Sequence, residues 1–359
     1  MKALRFNADY ETDLFFSNKA PAILNESLEC ILFFLTERPI LTQKKYNPDY
    51  LDYVERMTGH RPLLVNQGEF ENYWGLLQNR DLEKWWNSKI TTAELILNMG
   101  WCENTYIIKD VSEFQKIKFE RDFLLKDPFG MSGQKFQVLS SKMGEKERVE
   151  MANRALKNGP FILEPLLRRK FDFSQYIFPD NKKIAYQNIV DDKFQYKGTS
   201  FSDYRNATIE KLPFFDLIDA KTWSQFEDQT AIIINFFSKY PNESGYSIDS
   251  FVYEENGILK IRVLSEINYR KTMGKICFDL AQRFGLQRPW ANFFLKKKSI
   301  GTFPHRIILE PLELKKNSNS GLIVLNPEHT RYDLFFLSAI NSQEAQNLRL
   351  EIDRLLANS

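Results

Sequence analysis

At 359 residues the chain is long enough for two or three packed lobes, and one apolar core of that size would be unusual. Forty-nine basic residues against 47 acidic ones leave a net charge of +2, which supplies no global attraction for nucleic acid. Three dispersed cysteines with no CxxC pair exclude a disulfide framework, and three scattered histidines (His60, His305, His329) argue against a histidine zinc site.

The opening stretch meets charges at Lys2 and Arg5 before any useful apolar run, so no secretory leader is expected. No window reaches ~18 uninterrupted apolar residues, so no membrane partner is expected, and a reduced cytoplasmic setting suits the cysteines. Residues 1–85 alternate short apolar runs (22–24, 29–35, 62–65) with helix-compatible stretches such as 49–57. That alternation predicts an α/β lobe with a small parallel sheet. Its glycines Gly59, Gly68 and Gly75 are isolated and form no phosphate-binding fingerprint.

Residues 87–100 read as a capped helix, with Asn87 or Ser88 at the N-cap and Gly100 at the stop. Lys89 falls in its first turn, where the helix dipole disfavours a cation, and is otherwise a plain surface lysine. Strands are expected at 105–108 and 123–126, with a helix at 111–120 between them. Lys126 closes the second strand and leads into a loop, Gly130-Met131-Ser132-Gly133, whose glycines could turn backbone N–H groups toward an anion. The loop lacks Walker spacing and can equally be a simple turn.

A charged helix over 143–158 precedes an apolar strand that ends at Glu164. Pro165 removes a donor and forces extended chain, leaving the backbone from Pro165 through Leu166 and Leu167 available to meet a planar base edge-on. Glu164 can alternatively pair with Arg168 or Arg169, and Asp172 follows on a predicted strand, 171–178. Residues 183–196 alternate like a strand, and 223–240 form an apolar-faced helix. Residues 248–253 and 258–264 form a hairpin about Asn256-Gly257.

After 258–264 the pattern breaks into Glu266, Asn268 and Arg270, at intervals of two. On extended chain they share one face, which could hold a hard cation beside an anionic substrate or could be an ordinary solvated strand face. The hairpin brings Asp249 near Glu266, adding a second carboxylate. Beyond Gly274 the expectations are a helix at 275–284, an irregular basic loop over 285–300, strands at 306–314 and 321–325, and a surface helix over 342–358.

In order, these segments resemble the ATP-grasp superfamily of carboxylate–amine ligases, such as D-alanine–D-alanine ligase and glutathione synthetase. The resemblance covers roughly residues 87–275 and rests on Lys89 before its helix, Lys126 before the glycine loop, Glu164-Pro-Leu-Leu167, and Asp249 followed by Glu266-Ile-Asn268. It implies an α/β (α+β) chain with a pre-ATP-grasp lobe (1–85), ATP-grasp lobes (86–275) holding ATP between two antiparallel sheets, and a C-terminal extension (276–359). It also implies that Lys89 and Lys126 contact phosphates and that Gly130, Met131, Ser132 and Gly133 close over them. Glu164, Leu166 and Leu167 would hold adenine, and Asp172 the ribose. Asp249, Glu266 and Asn268 would bind Mg2+, while Arg270 and Lys126 serve the reaction and Arg270 meets the acyl phosphate or substrate carboxylate. The expected activity is ATP-dependent amide or peptide bond formation from a small carboxylate and an amine, amino acids or a peptide among them. An inactive ATP-binding scaffold and a kinase-like transfer to a hydroxyl are the competing expectations.

Overall fold

Parallel pairing organises the first lobe. Strands β1 (Ala3–Arg5), β2 (Ile40–Leu41), β3 (Leu64–Val65) and β4 (Phe70–Asn72) lie in the order β3-β2-β1-β4, all parallel, as the alternating apolar runs predict. The helix Pro48–Thr58 crosses between β2 and β3. The Asn47 side chain caps its start by accepting the Asp49 N–H, and Gly59 ends it at φ 81°. The computed structural model describes residues 2–15, 23–101, 104–129, 136–241, 243–285, 287–297, 309–327, 330 and 332–357. The predicted phosphate loop, Gly130 to Gly133, lies outside them.

A second sheet is small and antiparallel: β5 (Tyr106–Ile108), β6 (Phe123–Lys126), β7 (Gln137–Leu139) and β8 (Phe161–Pro165), in the order β5-β8-β6-β7. Phe123, Leu125, Phe161 and Leu163 alternate onto one face and pack with Ala152 and Ala155 of the helix Glu145–Leu156. The opposite parity therefore turns Lys126 and Glu164 away from that core. The helix predicted over 111–120 is shorter, Val111–Gln115, with Asp110 as its cap.

The third sheet has eight strands. Its members are β9 (Arg168–Ile177), β10 (Lys183–Val190), β11 (Tyr196–Phe201), β12 (Tyr246–Glu255), β13 (Ile258–Asn268), β14 (Trp290–Lys297), β15 (Ser320–Val324) and β16 (Tyr332–Ala339). They run in the order β13-β12-β9-β10-β11-β14-β16-β15, antiparallel throughout. Asn256 and Gly257 both adopt left-handed φ, 54° and 77°, which gives the β12–β13 turn the twist a two-residue hairpin needs. The helix Ala220–Phe237, capped by Asp219, buries Trp223, Phe226, Ile233 and Phe237 against Phe173, Ile248, Val252 and Leu264 of this sheet.

Two expectations fail in the C-terminal third. The basic stretch read as a loop contains β14, paired on both sides, and only its last residues, Lys296 and Lys297, carry the charge that suggested a loop. In the described part of the predicted 306–314 strand, Glu310–Leu312 form a 3-10 turn with Pro311 in it, and only Glu313 keeps a β-bridge, to Leu322. Strand β16, which the sequence pattern did not reveal, pairs with both β14 and β15.

The first lobe shares its core with this third: Phe33, Phe34 and Tyr50 join Ile276, Leu280, Phe293 and Phe336 in one cluster. Tyr50 Oη donates to Leu325 O at 2.6 Å, and Val324 N–H donates to Tyr53 Oη at 3.1 Å. No helix among the described residues is long and apolar enough to cross a membrane.

Candidate nucleotide and metal site

Register across β13, β12, β9 and β10 builds the site row by row. One row aligns Glu266, Asp249, Ser174 and Tyr186. On the same face, two residues further along, lie Asn268, Ser247 and Tyr176 in one direction and Phe251, Asp172 and Asn188 in the other, with Arg262, four residues from Glu266, opposite Phe251. An irregularity in the β12–β13 ladder lets β13 advance four residues while β12 advances two, which preserves the face and sets Asp249 directly against Glu266.

Asp249 is the most heavily bonded member. Its Oδ1 accepts from Ser174 Oγ at 2.7 Å and from Ser247 Oγ at 3.1 Å, and its Oδ2 accepts from Asn268 Nδ2 at 2.8 Å. Asn188 Nδ2 holds Ser174 Oγ at 2.7 Å. Burial, followed by the like charge of Glu266, pushes the Asp249 carboxyl up to about 6, against the two serines and Arg270, which pull it down. Asn268 Oδ1 accepts from the Arg270 guanidinium at 2.9 Å.

Lys89 reaches this row from a different element. Ser88, not Asn87, caps the helix Lys89–Asn98 by accepting the Ile90 N–H. Asn87 instead closes the preceding helix, and its Oδ1 accepts the Tyr269 N–H at 2.9 Å, clasping the end of β13. The Lys89 ammonium then lies 2.7 Å from Glu266 Oε1 and is almost fully buried. Its backbone N–H donates to Pro128 O at 3.0 Å, tying this helix to the chain that leads into the glycine loop.

The small sheet faces these rows with a buried ionic cluster. Glu164 pairs with Lys126, its diagonal neighbour in the β6–β8 ladder, and with Arg262 of β13 at 3.3 Å, not with Arg168 or Arg169. Burial pushes the Glu164 carboxyl up, but Lys126 and Arg262 more than offset this and hold it low. Burial lowers Lys126, and Arg169 and Arg262 add to that, while Glu164 pulls it back up. Arg169 pairs instead with Asp172 at 2.9 Å and stacks over Phe251 at 4.0 Å. Burial raises the Asp172 carboxyl despite that partner. Leu166 spends its N–H on Asp122 O at 2.9 Å, and Leu167 O accepts the Arg169 N–H at 2.9 Å.

Among the predicted site residues, Lys126 and Glu164 pair on the small sheet, and Asp249, Glu266, Asn268 and Asp172 share a face of the large one; Lys89 pairs with Glu266, and Arg262 joins Glu164 to the large sheet. Ser174, Ser247, Asn188 and Arg262 were missed. Ser174 and Ser247 stand two residues from Asp172 and Asp249, so strand alternation already placed them on the site face; Arg262 lies beyond the ladder irregularity, where alternation from Glu266 does not carry. Among the described residues no three His, Cys, Asp or Glu side chains gather as a metal cluster; the acidic pair is completed by an amide.

No protein-family model matches this sequence, and no curated protein does. Solved structures match its fold. An N5-carboxyaminoimidazole ribonucleotide synthetase in its ADP complex is 11% identical, with 94% of this chain and 84% of that chain covered and a TM-score of 0.52. The N5-carboxyaminoimidazole synthetase from Staphylococcus aureus complexed with ADP is 13% identical, covering 92% and 89%, at 0.50. Phosphoribosylamine–glycine ligase from Thermotoga maritima is 10% identical, covering 91% and 93%, at 0.52. The chain has the ATP-grasp fold.

Proposed function

We propose that this protein is an ATP-dependent carboxylate–amine ligase. The observation that carries the reading is a pair of neighbouring clusters: Lys126–Glu164 of the small sheet, joined to Arg262 of the large one, and Lys89–Glu266 with Asp249–Asn268 on the large sheet's site face. The structural neighbours with an ADP complex or a ligase name support the same class.

The residues fit a hard divalent cation. Asp249 and Glu266 offer carboxylate oxygens and Asn268 a carboxamide whose oxygen a turn of the side chain would present, and a cation would relieve both the burial and the like charge of Glu266 that raise Asp249. Three protein ligands leave room for phosphate oxygens and water, which suits Mg2+. When bound, Mg2+ would supply charge neutralisation on the nucleotide phosphates.

Lys89 and Lys126 would exchange their present carboxylate partners for phosphate oxygens, as buried cations able to form charge-assisted hydrogen bonds. The chain at Glu164 and Leu167 would meet adenine, and Asp172 the ribose; the N–H of Leu166 is already committed to Asp122. The carboxylate substrate would take the terminal phosphoryl group to form an acyl phosphate, and Arg270 would neutralise its charge. Attack by the amine nitrogen on the acyl carbon then expels phosphate and leaves the amide. The glycine loop would exclude water that would otherwise hydrolyse the intermediate.

Mg2+-ATP should raise the melting temperature, and ADP release should require both an acid and an amine. Glu266→Gln removes half the acidic pair and should slow ADP release by about two orders of magnitude while leaving the fold intact, judged by circular dichroism. Nucleotide binding without turnover under any acid and amine would instead favour a non-catalytic module. No nucleotide effect on either protein would overturn both.

A further inference from the structure

The first lobe reaches Arg270 through Trp74. The Arg270 guanidinium lies over the Trp74 ring, 5.2 Å from its centroid, and one of its amino groups donates to Asn268 Oδ1 at 2.9 Å. Trp74 follows β4, so it belongs to the parallel sheet and not to the sheet that carries Arg270. Its placement is tightly fixed. The buried Asn7 carboxamide accepts the Trp74 N–H at 2.9 Å and donates to Gly75 O at 2.8 Å. A Cβ on Gly75 would come within 2.3 Å of the Tyr10 ring, so only glycine fits there. From the other side, Lys271 N–H donates to Trp74 O at 2.9 Å, and Lys271 Nζ donates to Tyr73 O at 2.9 Å. The 73–75 segment is held from both sheets, with the indole under the arginine.

We infer that Trp74 is a positioning residue for Arg270, so that the first lobe sets how the site grips its carboxylate substrate. The inference rests on the ligase reading. A guanidinium is planar, and its N–H donors lie in that plane. A ring beneath it fixes the plane, while Asn268 and the Lys271 carbonyl, which accepts from a guanidinium amino group at 3.2 Å, fix its rotation within the plane. Without the ring the arginine keeps its charge and these hydrogen bonds but loses the contact that sets the tilt of its plane. The expected loss falls on the substrate that Arg270 meets and leaves the nucleotide, held by Lys89, Lys126 and Glu164, unaffected.

The test uses the full chain with Mg2+-ATP, a panel of the twenty amino acids, acetate and succinate, and hydroxylamine as a general amine. The hydroxylamine nitrogen attacks the activated acyl carbon, phosphate leaves, and the hydroxamate is read by its iron(III) colour. With the most active acid, Trp74→Leu should raise KM for that acid roughly tenfold, the scale of a desolvated cation–π contact. KM for ATP should stay within about twofold, and Trp74→Phe, which keeps a ring, should restore most of the acid KM. An unchanged acid KM in Trp74→Leu, or equal rises for acid and ATP, would overturn the positioning role and leave the ligase reading standing. Should Trp74→Leu not fold, Trp74→Phe and Trp74→Tyr decide by the same comparison: a rise in acid KM as large as that of Arg270→Lys would overturn the role. A wild-type protein that forms no hydroxamate with any acid overturns the ligase reading, and this inference with it.

Discussion

Glu164 lies between two buried cations, Lys126 and Arg262, which come from different sheets. Neutralising it by Glu164→Gln removes the carboxylate that ion-pairs with both, in a place water scarcely reaches. The expected cost is about 3–5 kcal/mol, the scale for breaking a buried ion pair by removing one partner. Urea denaturation of Glu164→Gln against wild type measures it. A cost below about 1 kcal/mol, the range of a solvated pair, would show that water screens the cluster. These residues also mark how far single positions were legible. Glu266, Asn268 and Arg270 stood out because alternation within one strand is written in the sequence. Arg262 did not, because its partner lies on another sheet, and strand alternation says nothing about which strands become neighbours. For the same reason the alternative salt bridge for Glu164 falls on nearby Arg168 or Arg169 in sequence, whereas the structure pairs it with Lys126, its diagonal neighbour on β6.

Elements were legible where one face is buried and the other is not. The β12–β13 hairpin was visible through Asn256-Gly257, and the structure gives both residues positive φ. Strand β16 was not, because Leu334 and Phe336 face one core while Phe335 and Leu337 face another; a strand buried on both sides shows a continuous apolar run without alternation. The hairpin gives a clean test of turn chemistry. Nothing lies within 4 Å of where a Gly257 Cβ would sit, so Gly257→Ala adds no clash and only an L-residue at φ 77°. It should destabilise by about 1–2 kcal/mol, the cost of a left-handed conformation with a Cβ. Because the turn is at the far end of the hairpin from Glu266, the KM for Mg2+-ATP should be unchanged in stable preparations. A shift in that KM comparable to Glu266→Gln would show that the turn sets the register of the whole hairpin.

At the scale of the molecule, the parallel lobe and the large sheet meet at Lys271, and that junction should titrate. The Lys271 ammonium donates to Tyr73 O and lies over the Tyr73 ring at 4.4 Å, with Lys275 and Asp279 as its charged neighbours. Burial, then Lys275, lowers its pKa to about 8, while Asp279 works in the opposite direction. In the unfolded chain a lysine titrates near ~10.4. Below pH 8 both states carry the proton, and the penalty for burying the charge is complete and independent of pH. Between about 8 and ~10.4 the folded state has shed a proton that the unfolded state still binds, so this group makes stability rise with pH. The buried thiols of Cys30 and Cys277, both raised by burial, act in the opposite sense because the unfolded chain loses those protons first. Only a comparison isolates the lysine. Lys271→Met keeps the length of the stem and removes the titration, so its urea midpoint should fall more steeply than that of wild type between pH 7.5 and 9.5. Parallel pH profiles for the two proteins would mean that the Lys271 ammonium remains as well solvated at the lobe junction as in the unfolded chain, and that the two lobes meet there more loosely than its contacts with Tyr73 imply.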